Sequence, residues 1–334
     1  MSIKFFSRYS LLVTVFALIV IVLGAFVRLS DAGLGCPDWP GCYGLIDVPQ
    51  TDQEIEVAEQ AFPQRPVEES KAWKEMFHRY FAGTLGILIA VLAVLSFRTR
   101  FESKSVQLLS VSLVGLVIFQ ALLGMWTVTL QVKPAIVTLH LLFGMATVSL
   151  LWLTFLNSSG GFSNAGNPSG LKGLTKLALW VVIGQIALGG WTSTNYAALA
   201  CTAFPGCYAG DAWPDMDFSE AFVLWRGLGI NYEFGVLEPD ARAAIHMIHR
   251  LGALLVLIVV GVLGLQALKK AQAAQRNIAI ILLILLGLQL TLGVLNVILS
   301  LPLANAVAHN GVAALLLLAL IAYYHTETRL LGRH

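Results

Sequence analysis

The sequence predicts an all-α integral membrane protein with eight transmembrane helices, arranged as two parallel four-helix-bundle repeats. Composition is the first observation: 57% of the 334 residues are hydrophobic, only 12% are charged, and the mean hydropathy is +0.77. These values are typical of membrane proteins and exclude an ordinary water-soluble domain. The second observation is a duplication, because His78 and His140 recur as His249 and His309 at offsets of 171 and 169 residues.

Eight apolar runs come close to the ~20 residues that a helix needs to cross a bilayer. In chain order they cover residues 11–27, 77–97, 106–128, 134–156, 174–191, 246–268, 278–299 and 303–324. Four runs fall in each half, and a polar stretch rich in Gly, Ser and Asn separates the halves. The predicted domains are therefore an N-terminal repeat over residues 1–156, a linker over 157–171 and a C-terminal repeat over 172–334.

Basic residues concentrate on one set of connections between the predicted helices, as in Arg98, Arg100, Lys269 and Lys270. The positive-inside rule makes these connections and both termini cytoplasmic, and it places the two long loops on the periplasmic side of a bacterial inner membrane. We expect the first helix to be retained rather than cleaved as a signal peptide. An even number of helices per repeat gives both halves the same orientation, related by a pseudo-twofold axis along the membrane normal.

Each half carries two histidines in its predicted outer leaflet. His78 and His249 begin apolar helices, whereas His140 and His309 lie about six residues inside theirs, at a depth of roughly 9 Å. An ionisable group in the membrane is costly, so four repeated histidines indicate function. A zinc site would recruit three or four closely spaced ligands, whereas two imidazoles on facing helices suit the axial positions of a haem. Neutral histidines bonded between helices are the alternative.

Three arginines near these histidines are candidates for contacts with haem propionates, because a guanidinium binds carboxylates strongly. They are Arg28, Arg79 and Arg250. An arginine at a membrane interface also extends its charge towards water without any ligand, and this alternative stays open.

The repeats differ one helical turn before the first histidine of each. Glu75 precedes His78, and His246 precedes His249, at the same spacing of three residues. Residues so spaced share a helix face, which makes Glu75 the candidate catalytic group, as a base or as a stabiliser of positive charge. An interfacial carboxylate in water is the alternative. His246 could be a propionate partner, an interfacial residue or an alternative ligand.

Four cysteines form two pairs of identical spacing, Cys36 with Cys42 and Cys201 with Cys207. Each pair lies just after the first helix of a repeat and ends in Pro-Gly-Cys-Tyr. On the oxidising side of the membrane we expect two disulfides, each contributing roughly 2 kcal/mol of stability through chain entropy. A redox-active thiol–disulfide pair is the sharper alternative to a purely structural staple.

Several stretches together resemble the heme A synthase family. They are residues 24–34 leading into the first cysteine loop, residues 75–79, residues 124–134 approaching His140, and the counterparts around His249 and His309. The resemblance implies an oxidoreductase that converts a methyl group of heme O into the formyl group of heme A, through a hydroxymethyl stage and with water as the oxygen source. It further implies that His78 and His140 hold heme O.

The same resemblance makes His249 and His309 the ligands of heme b and gives Glu75 the catalytic role. It also makes the heme O synthase and cytochrome oxidase assembly factors plausible partners by pathway. The electron acceptor is not identified by the sequence, no nucleic-acid partner is expected, and the oligomeric state, a homo-oligomer included, is open. Two rival functions share parts of the pattern: a bis-histidine dihaem cytochrome b that exchanges electrons with quinol, and a transporter. Residues 211–240 have no predicted role.

Overall fold

The computed structural model describes residues 2–101, 104–160, 169–271 and 273–329, so residues 161–168 of the predicted linker lie outside the described residues. Within these ranges, eight helices are long and apolar enough to cross a membrane. They are α1 (Ile3–Leu29), α3 (Glu69–Arg98), α4 (Ser105–Thr129), α5 (Pro134–Ser158), α6 (Lys172–Thr194), α8 (Pro239–Lys270), α9 (Ala273–Ile298) and α10 (Leu303–Arg329). The predicted all-α integral membrane protein with eight spans is confirmed.

Two of these helices begin well before the apolar runs that predict them. The helix α3 begins at Glu69 and α8 begins at Pro239, where proline suits the first turn because its missing N–H would be unpaired there anyway. At 1.5 Å per residue, 30 residues span roughly 45 Å, which is longer than the ~30 Å hydrocarbon core. The extra turns of α3 carry Glu75 and those of α8 precede His246, so both residues lie well inside helices rather than in loops.

The first four spans form one bundle and the last four form another. In the first bundle α3 packs on α1 and α4, and α5 packs on α4 and α1; in the second, α8 packs on α6 and α9, and α10 packs on α9 and α6. The bundles meet where α1 and α5 contact α10 and α6. A hydrogen bond from the Trp152 indole to the Leu318 carbonyl, 3.0 Å long, crosses this interface. The pseudo-twofold relation stays a prediction.

Each long loop contains a short helix. In the first loop, α2 (Asp52–Ala61) begins with a capping box, in which Thr51 and Glu54 satisfy each other's backbone N–H groups. In the second loop, α7 (Phe218–Ala221) follows Asp217. An ion pair of 2.8 Å between Arg65 and Glu233 joins the two loops. The loops therefore form a connected layer over one end of the bundles.

Candidate functional site

A cavity of about 1150 Å³ lies inside the first bundle, between α1, α3, α4 and α5. His78 from α3 and His140 from α5 both line it, and so does Glu75, a carboxylate that is only 5% exposed. The two imidazoles come from different helices and line the same cavity. The volume exceeds the roughly 300–1,000 Å³ usual for small-molecule sites. Three residues predicted separately from the sequence thus converge on one cavity of the size a macrocycle needs.

In the second bundle, His249 lies on α8 and His309 on α10. A glutamine amide lies beside three of the four histidines. The Nε2 atom of Gln120 donates to the His140 carbonyl at 2.8 Å, that of Gln185 donates to the His249 carbonyl at 2.9 Å, and that of Gln289 lies 3.2 Å from the His309 ring. Gln120 and Gln289 occupy matching places in the two repeats.

Every one of the four predicted ligand rings lies against a glycine on a neighbouring helix. A Cβ atom added to that glycine would meet the ring's Cε1 atom at 3.0–3.4 Å. The pairs are Gly24 with His78 (3.0 Å), Gly124 with His140 (3.4 Å), Gly189 with His249 (3.3 Å) and Gly293 with His309 (3.2 Å). A Cβ at Gly24, Gly189 or Gly293 would press on the ring, and one at Gly124 would just reach ordinary contact, so the glycines leave room for the imidazoles.

Both predicted disulfides are present. Cys36 is bonded to Cys42 and Cys201 to Cys207, and all four cysteines are fully buried. We call residues 36–42 the first disulfide loop and residues 201–207 the second disulfide loop. The predicted pairing is confirmed, whereas the choice between a structural staple and a redox pair stays open.

Glu75 and Arg79 hold the first disulfide loop against α3. The Cys36 N–H donates to the Glu75 carboxylate at 2.9 Å, and the Arg79 guanidinium donates to its other oxygen at 2.5 Å. Arg79 also donates to the backbone carbonyls of Asp38, at 3.0 Å, and of Gly41. The expectation that Glu75 faces the His78 site is therefore incomplete: the carboxylate lines the cavity and at the same time anchors the loop above it.

His246 and Arg250 hold the second disulfide loop in the same way. The His246 Nδ1 atom accepts the Cys201 N–H at 3.3 Å, and Arg250 donates to the carbonyls of Ala203 and Gly206 at 2.9 and 2.8 Å. His246 is 4% exposed. Of the three roles open for His246, a free interfacial position does not describe this buried, loop-bound imidazole.

The three arginines predicted to contact propionates each have protein partners. Arg79 and Arg250 donate to the disulfide loops, as described above. Arg28 donates to the Ser193 carbonyl at 2.7 Å, and its guanidinium lies 4.4 Å from the centre of the Tyr196 ring, so it ties α1 to the end of α6. Arg28 and Arg79 also line the cavity. A haem propionate bound at Arg28 or Arg79 would share the guanidinium with these protein partners.

The first Pro-Gly-Cys-Tyr motif ends with Tyr43, whose hydroxyl attaches the motif to the chain just before α3. Its hydroxyl donates to the Pro66 carbonyl at 3.0 Å, just before α3 begins. Burial raises the pKa of Tyr43 to about 12, so the hydroxyl stays protonated and keeps this hydrogen bond at any ordinary pH. The motif therefore joins the first disulfide loop to the approach of α3.

Residues of the second bundle complete the wall of the first cavity, which the sequence did not predict. Gly190 and Thr194 of α6 and Asn310 of α10 line it. Asn310 directly follows His309, so its place beside a predicted ligand was a usable signal, but nothing marked the α6 residues, which also include Ser193. The cavity is therefore shared between the bundles.

Lys133 anchors the second long loop, whose role the sequence left open. This lysine lies in the turn before α5, is 2% exposed, donates to the Gly227 carbonyl, and has its ammonium 3.2 Å from the centre of the Trp225 ring. Burial lowers the pKa of Lys133. A lysine in a turn between spans reads as an interfacial charge, so its burial could not be foreseen.

The first cavity fits the haem that the sequence predicts. Two imidazoles from different helices share it, and the Nδ1 atoms of His78 and His140 have no hydrogen-bond partner within the described chain. A glycine lies against each ring, so no side chain at that position fills the space beside it. Such a pair can supply both axial ligands of a haem iron. His249 and His309 repeat the ligand types and the glycine contacts in the second bundle.

Comparison with known proteins places the chain in a family. The family model COX15-CtaA, described as cytochrome oxidase assembly protein, matches residues 7–321. The chain is 46% identical over 309 residues to the heme A synthase of Shewanella oneidensis, covering 92% of both chains. It is 30% identical over 206 residues to the heme A synthase of Alkalihalophilus pseudofirmus, covering 60% of this chain and 63% of that one. The chain therefore belongs to the heme A synthase family of cytochrome oxidase assembly proteins.

Proposed function

We propose that this protein oxidises a methyl group of heme O to a formyl group, giving heme A. The observation that carries the proposal is the single cavity in which His78, His140 and the buried Glu75 meet. The relative from Shewanella oneidensis, which is named a heme A synthase and matches nearly the whole chain, supports the same reaction. A quinol-linked cytochrome b would need no buried carboxylate beside its ligands, so nothing favours that alternative.

In this proposal His78 and His140 hold the iron of the substrate, heme O. His249 and His309 hold heme b, which supplies a redox-active iron when bound. The glycines opposite all four rings support the assignment, because the same glycine–imidazole contact recurs at each predicted ligand. Among the arginines, Arg28 is the preferred propionate partner, since it lines the cavity and its Nε atom has no protein partner within the described chain.

The reaction requires the residues beside heme O to stabilise positive charge and to remove a proton. Each stage, from methyl to hydroxymethyl and from hydroxymethyl to formyl, removes an electron pair and releases protons, and water supplies the oxygen atom. Removing electrons from the methyl carbon leaves positive charge next to the ring, which a nearby carboxylate stabilises. Glu75 is placed for this, or for taking the proton of the attacking water. Its hydrogen bonds to Cys36 and Arg79 hold the carboxylate in one orientation.

The proposal extends to the setting of the reaction. The protein lies in the bacterial inner membrane with both termini cytoplasmic and both disulfide loops periplasmic, in line with the basic connections on the other side. The heme O synthase and oxidase assembly factors are proposed partners by pathway, and an acceptor outside this chain takes the electrons. The domain boundaries at residues 156 and 172 belong to the same proposal.

A haem-extraction experiment tests the function. The protein is expressed with a supply of heme O, its haems are extracted, and their masses are measured, with Glu75→Gln prepared in parallel. We expect a formyl-bearing haem from the wild type and unconverted heme O from the variant. Unaltered haem from the wild type would contradict the proposal and favour a cytochrome, and a wild-type protein that binds no haem would favour a transporter.

A further inference from the structure

Below the two histidines, the first cavity continues towards the membrane centre as an apolar groove between α3 and α4. Its walls are small or medium apolar residues: Gly83, Gly86 and Ala90 on α3, and Val114, Val117 and Ala121 on α4. We call these six residues the α3–α4 groove. From His78 to Ala90 the helix rises roughly 18 Å, at 1.5 Å per residue. The cavity is thus much deeper than the layer that holds the imidazoles.

The groove is open on its outer side. Ile87 of α3 and Ile118 of α4 line the cavity, yet they are 68% and 59% exposed. Lining the cavity does not by itself expose a residue, because Ala17 and Val20 on the opposite wall are 2% and 7% exposed. The two isoleucines therefore lie at an exposed edge of the cavity, as Ile46 of the first loop does at the loop end, where it is 91% exposed. Since α3 and α4 are both membrane spans, the edge at Ile87 and Ile118 faces the hydrocarbon of the bilayer.

The second bundle carries larger side chains at most of the matching positions. At the offsets that align the histidines, the counterparts are Leu254 for Gly83, Leu257 for Gly86, Leu283 for Val114, Leu286 for Val117 and Leu290 for Ala121. Leu286 is only 3% exposed, and Leu283 packs directly on Gly264. Two positions show the opposite exchange: Gly287 is the counterpart of Ile118, and Gly261 is the counterpart of Ala90. A Cβ added to Gly261 would lie 4.0 Å from the Leu286 side chain.

We propose that the α3–α4 groove binds the long isoprenoid side chain of heme O and that the substrate enters through its opening from the membrane. The inference rests on the proposed function and sharpens it, because this side chain is what distinguishes heme O from protohaem. A flexible apolar chain gains by leaving water for an apolar groove, and it needs the space that glycine, alanine and valine leave. The leucines of the second bundle suit a haem without such a chain.

Grafting second-bundle residues into the groove tests the proposal. Gly86 and Val117 face each other, since a Cβ on Gly86 would lie 4.0 Å from the Val117 side chain, so Gly86→Leu with Val117→Leu should close the groove at mid-depth. We expect the affinity for heme O to fall roughly tenfold or more, because the leucines exclude several methylene groups from the groove. Protohaem affinity in the same site should not change. Both are measured by titrating purified protein and following the haem absorption.

Two further variants complete the test. Ala121→Leu makes a milder graft with the same expected direction, and Val91→Leu is the matched control, because Val91 is 40% exposed on α3 but is not part of the cavity wall. Unchanged heme O affinity in both grafts, or an equal loss for both haems, would overturn the proposal. Because the readout is binding, a wild type that binds heme O without converting it would contradict the proposed function and leave the groove to be judged by the titrations.

Discussion

The two disulfide loops are held by the same device, with one difference. In each repeat an arginine donates to the loop carbonyls, and a side chain four residues before it accepts the N–H of the first cysteine. In the first half this acceptor is the Glu75 carboxylate, and in the second half it is the His246 ring, which needs no charge to accept a hydrogen bond. Holding the loop requires only an acceptor, so it does not account for a buried carboxylate. The charge of Glu75 is paired with Arg79, and in the proposed function it also serves the reaction at the first site.

The substitutions with the largest expected effect each remove the haem from one of the two sites. His78→Ala should remove heme O binding and turnover while heme b stays in the second bundle, and His249→Ala should do the reverse for heme b. Each substitution deletes one axial ligand of one haem only. Haem content by extraction and absorption spectra of both variants check this. A variant that loses both haems would show that the sites are not separable by their ligands.

Glu75→Gln should lower turnover by roughly 10²–10⁴-fold, the usual range for losing a catalytic acid or base. Glutamine keeps an oxygen that can accept the Cys36 N–H, so the first disulfide loop should stay in place. His246→Gln is the matched change in the second half, and we expect this variant to form heme A at a rate within a few-fold of the wild type. Rates of heme A formation decide between them. Equal losses in both variants would mean that Glu75, like His246, only supports its loop.

A smaller effect should follow from the glycines. Gly24→Ala places a Cβ 3.0 Å from the His78 ring, whereas Gly124→Ala places one 3.4 Å from the His140 ring, where contact is already tolerable. Gly24→Ala should shift the His78 ring, and with it the reacting atoms, by a few tenths of an ångström. We expect this shift to lower turnover roughly tenfold. Shifts in the electron paramagnetic resonance signal of the first haem report the moved ligand. A larger shift in Gly124→Ala would contradict the order of the two contacts.

The smallest expected effect compares the disulfides. Replacing Cys36 and Cys42 by serine should cost about 2 kcal/mol of stability, and replacing Cys201 and Cys207 should cost the same, because the rings are equal in length. Turnover should fall further for the first pair, since Cys36 contacts Glu75 directly. Thermal unfolding and heme A formation measure the two quantities. Turnover that stops while Glu75 and both haems stay in place would favour a redox role for the first pair.

Much of the fold could be predicted from the sequence, because long apolar runs have few alternatives to membrane-spanning helices. The duplication pointed to the four histidines, to Glu75 as the position at which the repeats differ, and to both disulfides; the disulfides are confirmed, and the roles of the other residues stay predictions. Helix starts were predicted less well: Glu69 and Pro239 begin helices whose first turns are polar, and polar turns leave no hydropathy signal. The family predicted from the combined motifs was confirmed.

Contacts between distant segments of the chain could not be predicted from the sequence. No local pattern shows that Lys133 is buried under Trp225, because the two lie far apart in the chain and their pairing depends on how the second long loop folds. The same holds for Arg28, whose partners Ser193 and Tyr196 belong to the other bundle. In each case a basic residue at a membrane boundary reads as a solvated charge, and only its three-dimensional neighbours show otherwise.

The wall that Gly190, Thr194 and Asn310 contribute to the first cavity bears on how such a chain could have arisen. If the two halves descend from one duplicated gene, the single-repeat ancestor lacked these neighbours within its own chain. It would have closed its cavity only by pairing with a second copy of itself, as the bundles of the present chain pair through α1, α5, α6 and α10. In the present chain the two bundles differ at this place, because the first has the space and the carboxylate and the second has leucine at most of the matching positions.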